Sequence, residues 1–141
     1  MGKTLTIGML ARDTGVKVPT IRFYEQIGLL GTAERTASNR RVYGTDALRR
    51  LKFIRHAREL GFAVDAIRQL LALADHSEKS CAEVDAIAKA HLEEIESRLA
   101  RLRSLKIEIG RMLKDCGRGQ VGECRIIEVL ADHKHCLHVE H

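Results

Sequence analysis

Three cysteines are the residues of this 141-residue chain with the clearest potential for chemistry. Cys116 and Cys124 flank a segment that contains Gly117, Gly119 and Gly122, and Cys81 lies well upstream of them. Thiolates that converge on one point favour soft or borderline metal ions. A cysteine can also serve as a small buried apolar residue, and that reading stays open for Cys81 taken alone. The three together indicate metal binding.

The segment that separates these cysteines, residues 80–116, has the pattern of a long helix. It contains no proline and one glycine, Gly110. One seam follows steps of three and four residues, which predicts a coiled coil: Asp85, Ala88, Leu92, Ile95, Leu99, Leu102, Lys106, Ile109, Leu113 and Cys116. A helix from Cys81 to Cys116 is about 50 Å long, so these two thiols cannot share a ligand within one chain. If an identical helix lies antiparallel, Cys81 of one chain comes beside Cys116 of the other.

Composition indicates a small dimeric protein without a membrane span. Aromatic residues make up 4% of the chain and tryptophan is absent, so much of the burial should come from a homodimer. No apolar run approaches the roughly 20 residues of a membrane span, and the N-terminus has no secretory apolar region, which predicts a cytoplasmic protein. Cysteines in that reducing compartment are expected to be ligands or sensors instead of disulfides. No nucleophile–base pair or phosphate-binding loop is evident.

Charge is distributed unevenly along the chain. Residues 1–75 carry 13 lysines and arginines against 7 acidic residues, whereas residues 76–141 carry 11 against 12. A basic N-terminal half is typical of a nucleic-acid-binding domain, although a solvated basic face would give the same count.

Residues 5–30 predict two short amphipathic helices joined by a turn at Gly15. Pro19 suits the first turn of the second helix, and Gly28 should end it. The buried stripe of that helix includes Ile21 and either Phe23 or Tyr24. This arrangement suggests a helix-turn-helix, whose second helix enters the major groove of DNA.

Residues 31–45 predict a β-hairpin wing. Val42 and Tyr43 resemble a short strand, and Ser38-Asn39 supplies turn chemistry. The wing would present arginines to phosphates; an ordinary charged loop is the alternative.

The remaining elements are predicted to be helical. They comprise residues 46–60 with Thr45 as N-cap, residues 64–74, the long helix with Ser80 as cap and Glu83 completing a capping box, and residues 125–130. The predicted fold class is therefore mainly α. Its domains are a winged helix-turn-helix at 1–75, a dimerisation helix at 76–116, and a metal-binding loop, short helix and His-rich tail at 117–141.

The motifs LTIGMLARDTGVKVPTIRFYE, RTASNRRVYG and LKFIRHARELGF, with the cysteines, resemble the MerR family of transcription regulators. The resemblance extends from about residue 5 to residue 130. It implies a homodimer with winged helix-turn-helix heads and a long antiparallel coiled coil. It also implies double-stranded promoter DNA with an overlong spacer as the target, which the effector-bound protein distorts so that RNA polymerase can engage.

The resemblance also assigns candidate DNA-binding residues. Positions that match the family motifs are Arg22, Tyr24, Arg35, Arg41, Tyr43 and Arg58. Arg40 joins them in the wing, although the family often has an aromatic residue there. Arginine contacts to phosphates fix register and make binding depend steeply on salt.

For the metal, the resemblance distinguishes two branches of the family. Copper sensors lack the thiol at the start of the long helix, whereas sensors of zinc, cadmium, lead and mercury have it. Cys81 of one chain with Cys116 and Cys124 of the other therefore implies a divalent ion. Zinc sensors tend to have two adjacent cysteines where this chain has Cys116-Gly117. Cadmium, lead or mercury thus fit three thiolates at least as well as zinc, which prefers four ligands.

The C-terminal tail holds a possible auxiliary metal site, formed by His133, His135, Cys136 and His138. A tail with no specific role is the alternative. Other readings are a copper, silver or gold sensor of the same family and a metal-binding coiled-coil protein without DNA function. An iron–sulfur redox regulator would need four clustered cysteines, and a drug-binding relative would need a larger C-terminal domain.

Overall fold

The computed structural model describes residues 4–115 and 119–132. The elements follow the chain in this order: α1 Ile7–Thr14, α2 Val18–Gln26, β1 Glu34–Arg35, β2 Arg41–Val42, α3 Thr45–Glu59, α4 Val64–Ala74, α5 Ala82–Asp115, a 3₁₀ turn Val121–Glu123 and α6 Arg125–Ala131. The chain divides into two compact units, with the boundary between Ile87 and Ala88 inside α5. The mainly helical class predicted from the sequence is confirmed.

The first unit begins with the helix-turn-helix. The Thr6 hydroxyl accepts a hydrogen bond from the Met9 amide at 3.2 Å and so caps α1. Gly15 ends α1 in the left-handed region, with φ of 74°. Leu10 of α1 and Ile21 of α2 are fully buried, which holds the two helices together.

Helix α2 ends in a Schellman motif, in which two main-chain bonds close the last turn. The Gly28 amide donates to the Glu25 carbonyl at 3.1 Å, and the Leu29 amide donates to the Tyr24 carbonyl at 2.9 Å. Gly28 has φ of 76°, a conformation that glycine adopts without strain. The predicted end of the helix is therefore confirmed.

The predicted wing is present as a two-stranded antiparallel ladder. Glu34 pairs with Val42, and Arg35 pairs with Arg41. Tyr43 lies just beyond β2 in an isolated bridge to Leu5, with amide-to-carbonyl distances of 2.7 and 2.8 Å in the two directions. The segment before α1 is thus tied to the base of the wing.

Helix α3 packs against α1 and α4 and completes the first core. The predicted N-cap was wrong by one residue, because Gly44 occupies the cap and Thr45 is the first helical residue. The Thr45 side chain therefore does not cap the helix. The buried residues of this core are Leu5, Leu10, Ile21, Tyr24, Leu29, Leu30, Tyr43, Leu51, Ile54, Ala57, Ile67 and Leu71.

Ser80 is not the N-cap of α5, because the helix begins one residue later than that prediction requires. The Cys81 carbonyl accepts the first helical bond, from the Asp85 amide at 2.9 Å, so Cys81 occupies the cap position. The Ser80 hydroxyl instead accepts from the Ala82 amide at 3.3 Å, in a local turn two residues long.

The apolar seam of α5 is exposed. Six of its residues have side chains open to solvent, from 38% for Ile95 to 61% for Leu102 and Leu113, and the others are Leu92, Leu99 and Ile109. In the second unit the buried residues among those described are Glu108, Met112 and Val129. Within the described chain, no helix has the length and hydropathy needed to cross a bilayer.

Candidate DNA interface and metal centre

The outward face of α2 presents a cation beside an aromatic ring. Arg22 is exposed, and Phe23 next to it is 49% exposed. Tyr24 faces the other way and is 8% exposed, with its ring centroid 6.0 Å from that of Phe23. The sequence left open which aromatic residue is buried; the helical period places Tyr24, three residues after Ile21, on the buried stripe.

Phe23 is therefore a surface residue that the sequence analysis did not assign to the DNA interface. Its exposure beside Arg22 gives the helix an apolar contact suited to a thymine methyl group or a sugar. Tyr24 is a core residue, and its assignment as a DNA contact gains no support from its burial.

The wing places two arginines directly opposite each other. Arg35 and Arg41 are cross-strand partners, and both are exposed. Like charges at directly opposed positions destabilise a sheet, so a phosphate between them would relieve the repulsion. Arg35 Nη1 also donates to the Asn39 carbonyl at 3.2 Å, which orients its guanidinium over the turn. Arg40 follows in the same turn and is exposed.

Tyr43 lies in the core. Its side chain is 3% exposed, and its hydroxyl donates to Oε1 of Glu25 on α2. Burial raises the pKa of Tyr43 to about 12, and the hydrogen bond and negative charge of Glu25 add to this effect. The buried Tyr43 side chain therefore links the wing to α2 through this hydrogen bond.

Arg58 is exposed near the end of α3. Its Nη1 donates to the Phe62 carbonyl at 2.9 Å, across the turn to α4. The guanidinium has further donors for a phosphate, so this local bond leaves the predicted contact open.

The cysteines lie in different environments. Cys81 is an exposed free thiol at the start of α5. Cys124 is half-buried and precedes α6, where its carbonyl accepts from the Glu128 amide at 3.1 Å. Cys116, and the proposed auxiliary ligands His133, His135, Cys136 and His138, lie outside the described residues. Among the described residues, no three His, Cys, Asp or Glu side chains are grouped closely enough to hold an ion.

Comparison with known proteins decides the family. Residues 5–74 match the MerR HTH family regulatory proteins, and residues 48–112 match the family described as MerR, DNA binding. The HTH-type transcriptional regulator ZntR of Escherichia coli K12 is 40% identical over 128 residues, which cover 88% of this chain and 90% of that protein. The chain belongs to the MerR family.

Two further MerR-family comparisons concern metals. Heavy metal-dependent transcription regulator 1 of Rhizobium meliloti is 40% identical over 119 residues, which cover 84% of this chain and 81% of that protein. The crystal structure of PbrR691 from Ralstonia metallidurans CH34, in complex with lead(II), has a TM-score of 0.78 and 37% identity, with coverage of 89% and 98%.

The family assignment confirms the prediction made from the three motifs. This MerR-family chain is a DNA-binding transcriptional regulator and not an enzyme. The individual DNA contacts and metal ligands are not tested by family membership, and they remain predictions.

Proposed function

We propose that this chain is a metal-responsive activator that binds promoter DNA as a homodimer. The observation that carries the proposal is the position of the thiols relative to α5. Cys81 immediately precedes this 34-residue helix and Cys124 follows its C-terminal end, while an apolar seam runs exposed between them.

A second copy of the chain is the occupant that best fits the seam. Apolar residues at steps of three and four along a helix are buried in a coiled coil by an equivalent seam. The seam continues from Leu92 to Leu113, so the partner must also be a long helix. An antiparallel copy of α5 meets this requirement and adds the second DNA-binding head.

The antiparallel arrangement also assembles the thiols. At 1.5 Å of rise per residue, α5 spans about 50 Å, so one chain cannot bring Cys81 to its own Cys124. In the dimer, Cys81 of one chain would join Cys116 and Cys124 of the other. The domains that follow from this assignment are the head at 1–75, the dimerisation helix at 76–116 and the metal loop with its tail at 117–141.

The donor set fits a soft divalent ion. Three thiolates with no fixed fourth ligand suit cadmium, lead or mercury, and zinc would need one more donor. The tail residues His133, His135, Cys136 and His138 could supply that donor. The similarity to a regulator crystallised with lead(II) and to a heavy metal-dependent regulator supports a metal effector.

On the DNA side, α2 enters the major groove while the wing holds phosphates. Arg22 and Phe23 face the groove, and Arg35, Arg40, Arg41 and Arg58 neutralise the backbone. Tyr24 and Tyr43 act from the core by fixing the helix and the wing that carry these arginines. Several phosphate contacts make the affinity fall steeply with salt.

Metal binding would change the conformation of the bound dimer more than its affinity for DNA. The head carries none of the three cysteines, so the apo and metal-bound dimers both occupy the operator. The ion links Cys81, which follows the linker from the head, to the partner's loop. It can shift the equilibrium only by its differential affinity for the activating state, in which distorted promoter DNA allows RNA polymerase to engage.

In vitro transcription beside a binding assay tests the proposal. Cadmium, lead, mercury, zinc and copper(I) are added in turn to the wild type and to Cys81→Ser. We expect divalent ions to activate the wild type but not the variant, while both occupy the operator. Activation by copper(I) alone, or unchanged divalent activation of Cys81→Ser, would rule out the proposed site.

A further inference from the structure

Three arginines of α3 and α4 donate to main-chain carbonyls at the ends of the helix-turn-helix. Arg55 of α3 donates from Nη1 to the carbonyl of Thr14, the last residue of α1. Arg50 of α3 donates from Nε to the Leu29 carbonyl at 2.7 Å. Arg68 of α4 donates from Nη2 to the Ile27 carbonyl at 2.9 Å.

Two of these bonds act on the same end of the recognition helix. The last carbonyls of a helix have no partner inside it and carry partial negative charge, so a guanidinium is a favourable cap. Ile27 is the residue that follows α2, and Leu29 lies two positions further. Arg68 thus caps this terminus from α4, and Arg50 holds the segment just beyond it from α3.

The bonds are long-range in sequence, which separates them from local capping. Arg50 lies 21 residues from Leu29, and Arg68 lies 41 residues from Ile27. A local cap stabilises its own helix, whereas these bonds connect the end of α2 to α3 and α4. Three of the arginines that make the head basic therefore also donate to its own main chain, although Arg68 itself lies at the surface.

We propose that Arg68, together with Arg50, is a positioning residue that orients α2 for sequence-specific contact with DNA. The inference rests on the proposed role of α2 as the groove-reading helix. Arg68 acts through the Ile27 carbonyl and not through a phosphate. Helix α4 is followed by the linker to α5, so this bond also connects α2 to the helix that precedes the coiled coil.

A positioning role and a phosphate contact have different signatures. A phosphate contact supports all sequences equally, and its loss lowers the salt slope of binding by about one. Misorientation of α2 weakens specific binding more than non-specific binding and leaves the salt slope unchanged. The ratio of the two affinities therefore separates the roles.

The experiment compares Arg68→Met and Arg68→Lys with a matched control, Arg49→Met. Arg49 is an exposed residue of α3 for which the described part of the chain offers no hydrogen bond or ion pair. Affinities are measured by fluorescence anisotropy over a range of salt. The probes are a duplex selected from random DNA with the wild-type protein and a scrambled duplex of equal length.

We expect Arg68→Met to lower the ratio of selected to scrambled affinity about tenfold, because a charge-assisted hydrogen bond is lost, with the salt slope unchanged. Arg49→Met should leave the ratio within about twofold of the wild type. Arg68→Lys, which keeps a charged donor, should recover part of the ratio and keeps the test possible if the methionine variant is unfolded.

Two results overturn the inference: a ratio for Arg68→Met equal to that of the control, or a salt slope lowered by about one. A wild-type protein that selects no duplex at all would instead refute the proposed function, so the two failures are distinguishable.

Discussion

The hydroxyl of Tyr43, at the base of the wing, donates a hydrogen bond to Oε1 of Glu25 on the recognition helix. On its main chain, Tyr43 is paired with Leu5, which precedes α1. One buried residue therefore joins the wing, the recognition helix and the N-terminal segment. The wing arginines and α2 are held at a fixed relative position by this contact.

Removing the hydroxyl should destabilise the protein. Tyr43→Phe leaves the Glu25 carboxylate without this donor, and we expect a loss of about 1–3 kcal/mol in the free energy of unfolding. Urea denaturation at a fixed protein concentration measures it. Tyr24→Phe is the matched control, because no hydrogen bond of the Tyr24 hydroxyl is seen among the described residues, and it should cost much less. Equal losses for the two variants would argue against a stabilising role for the hydrogen bond between Tyr43 and Glu25.

The same contact predicts a dependence of stability on alkaline pH. The folded pKa of Tyr43, about 12, lies above its ordinary value of 10.0. The folded state therefore holds the proton more tightly, so this stabilisation is fully present below pH 10 and is lost between about pH 10 and pH 12. Urea midpoints measured across this window should fall more for the wild type than for Tyr43→Phe. Parallel curves would exclude the proposed linkage.

Substitution of Gly15 tests the turn between α1 and α2. Alanine at Gly15 would need φ of +74°, and its Cβ would clash with the guanidinium of Arg55. Gly15→Ala should therefore cost about 1–3 kcal/mol, from the unfavourable φ and from displacement of Arg55.

Gly8 supplies the control within the same helix. A Cβ there meets nothing within 4 Å, and Gly8 lies inside α1. Gly8→Ala should stabilise by about 0.5–1 kcal/mol, because alanine loses less backbone entropy in a helix. Thermal unfolding shows whether each substitution raises or lowers the stability of the protein. Equal destabilisation by both substitutions would contradict the positive φ at Gly15 and the open space at Gly8.

The sequence predicts the local elements well because their signals are local. Gly15 and Gly28 mark positions of positive φ, and the period of α2 follows from Ile21. The N-cap of α3 was predicted at Thr45 and lies at Gly44, because a threonine beside a glycine offers two possible cap positions. The hydroxyl of Thr45 does not cap the helix.

Tertiary use of polar residues is harder to foresee. Nothing in the sequence distinguishes Arg68, which donates to the Ile27 carbonyl, from Arg49, for which no such bond is seen among the described residues. Likewise the partner of Tyr43 is 18 residues away in sequence, and no period connects it to Glu25. The cysteine pattern indicates a metal, but the meeting of the thiols depends on a second chain.

Charging the middle of the seam should dissociate the dimer. Leu99 is 46% exposed near the midpoint of α5, so in an antiparallel pair it would face its own copy. Leu99→Glu then places two carboxylates together in an apolar seam, and we expect the dimer dissociation constant to rise at least about a hundredfold.

Sedimentation velocity at micromolar protein concentration shows whether the wild type and each variant are dimers or monomers. Ser97→Glu introduces the same charge on the opposite face of α5 and should stay dimeric. A wild-type monomer, or a Leu99→Glu dimer, would contradict the proposed assembly.

Loss of a wing arginine should weaken DNA binding without loss of specificity. Arg41→Ala removes one proposed phosphate contact, so affinity for all duplexes should fall and the salt slope should decrease by about one. Lys89→Ala removes an equal charge from α5 and should leave the slope unchanged. If the slopes of Arg41→Ala and the wild type coincide, the wing does not contact phosphates.

The most direct test of the shared metal site is complementation between two inactive chains. One chain carries Cys81→Ser, and the other carries both Cys116→Ser and Cys124→Ser. Neither homodimer retains a three-thiolate site. In the heterodimer, one site regains Cys81 from one chain and Cys116 and Cys124 from the other.

Lead(II) titration of the purified heterodimer, followed by the thiolate-to-lead absorption band, gives the stoichiometry. We expect one tightly bound ion per heterodimer, two per wild-type dimer, and none at the same concentration for either variant homodimer. A heterodimer that binds no more lead than the variant homodimers would contradict a site built from both chains.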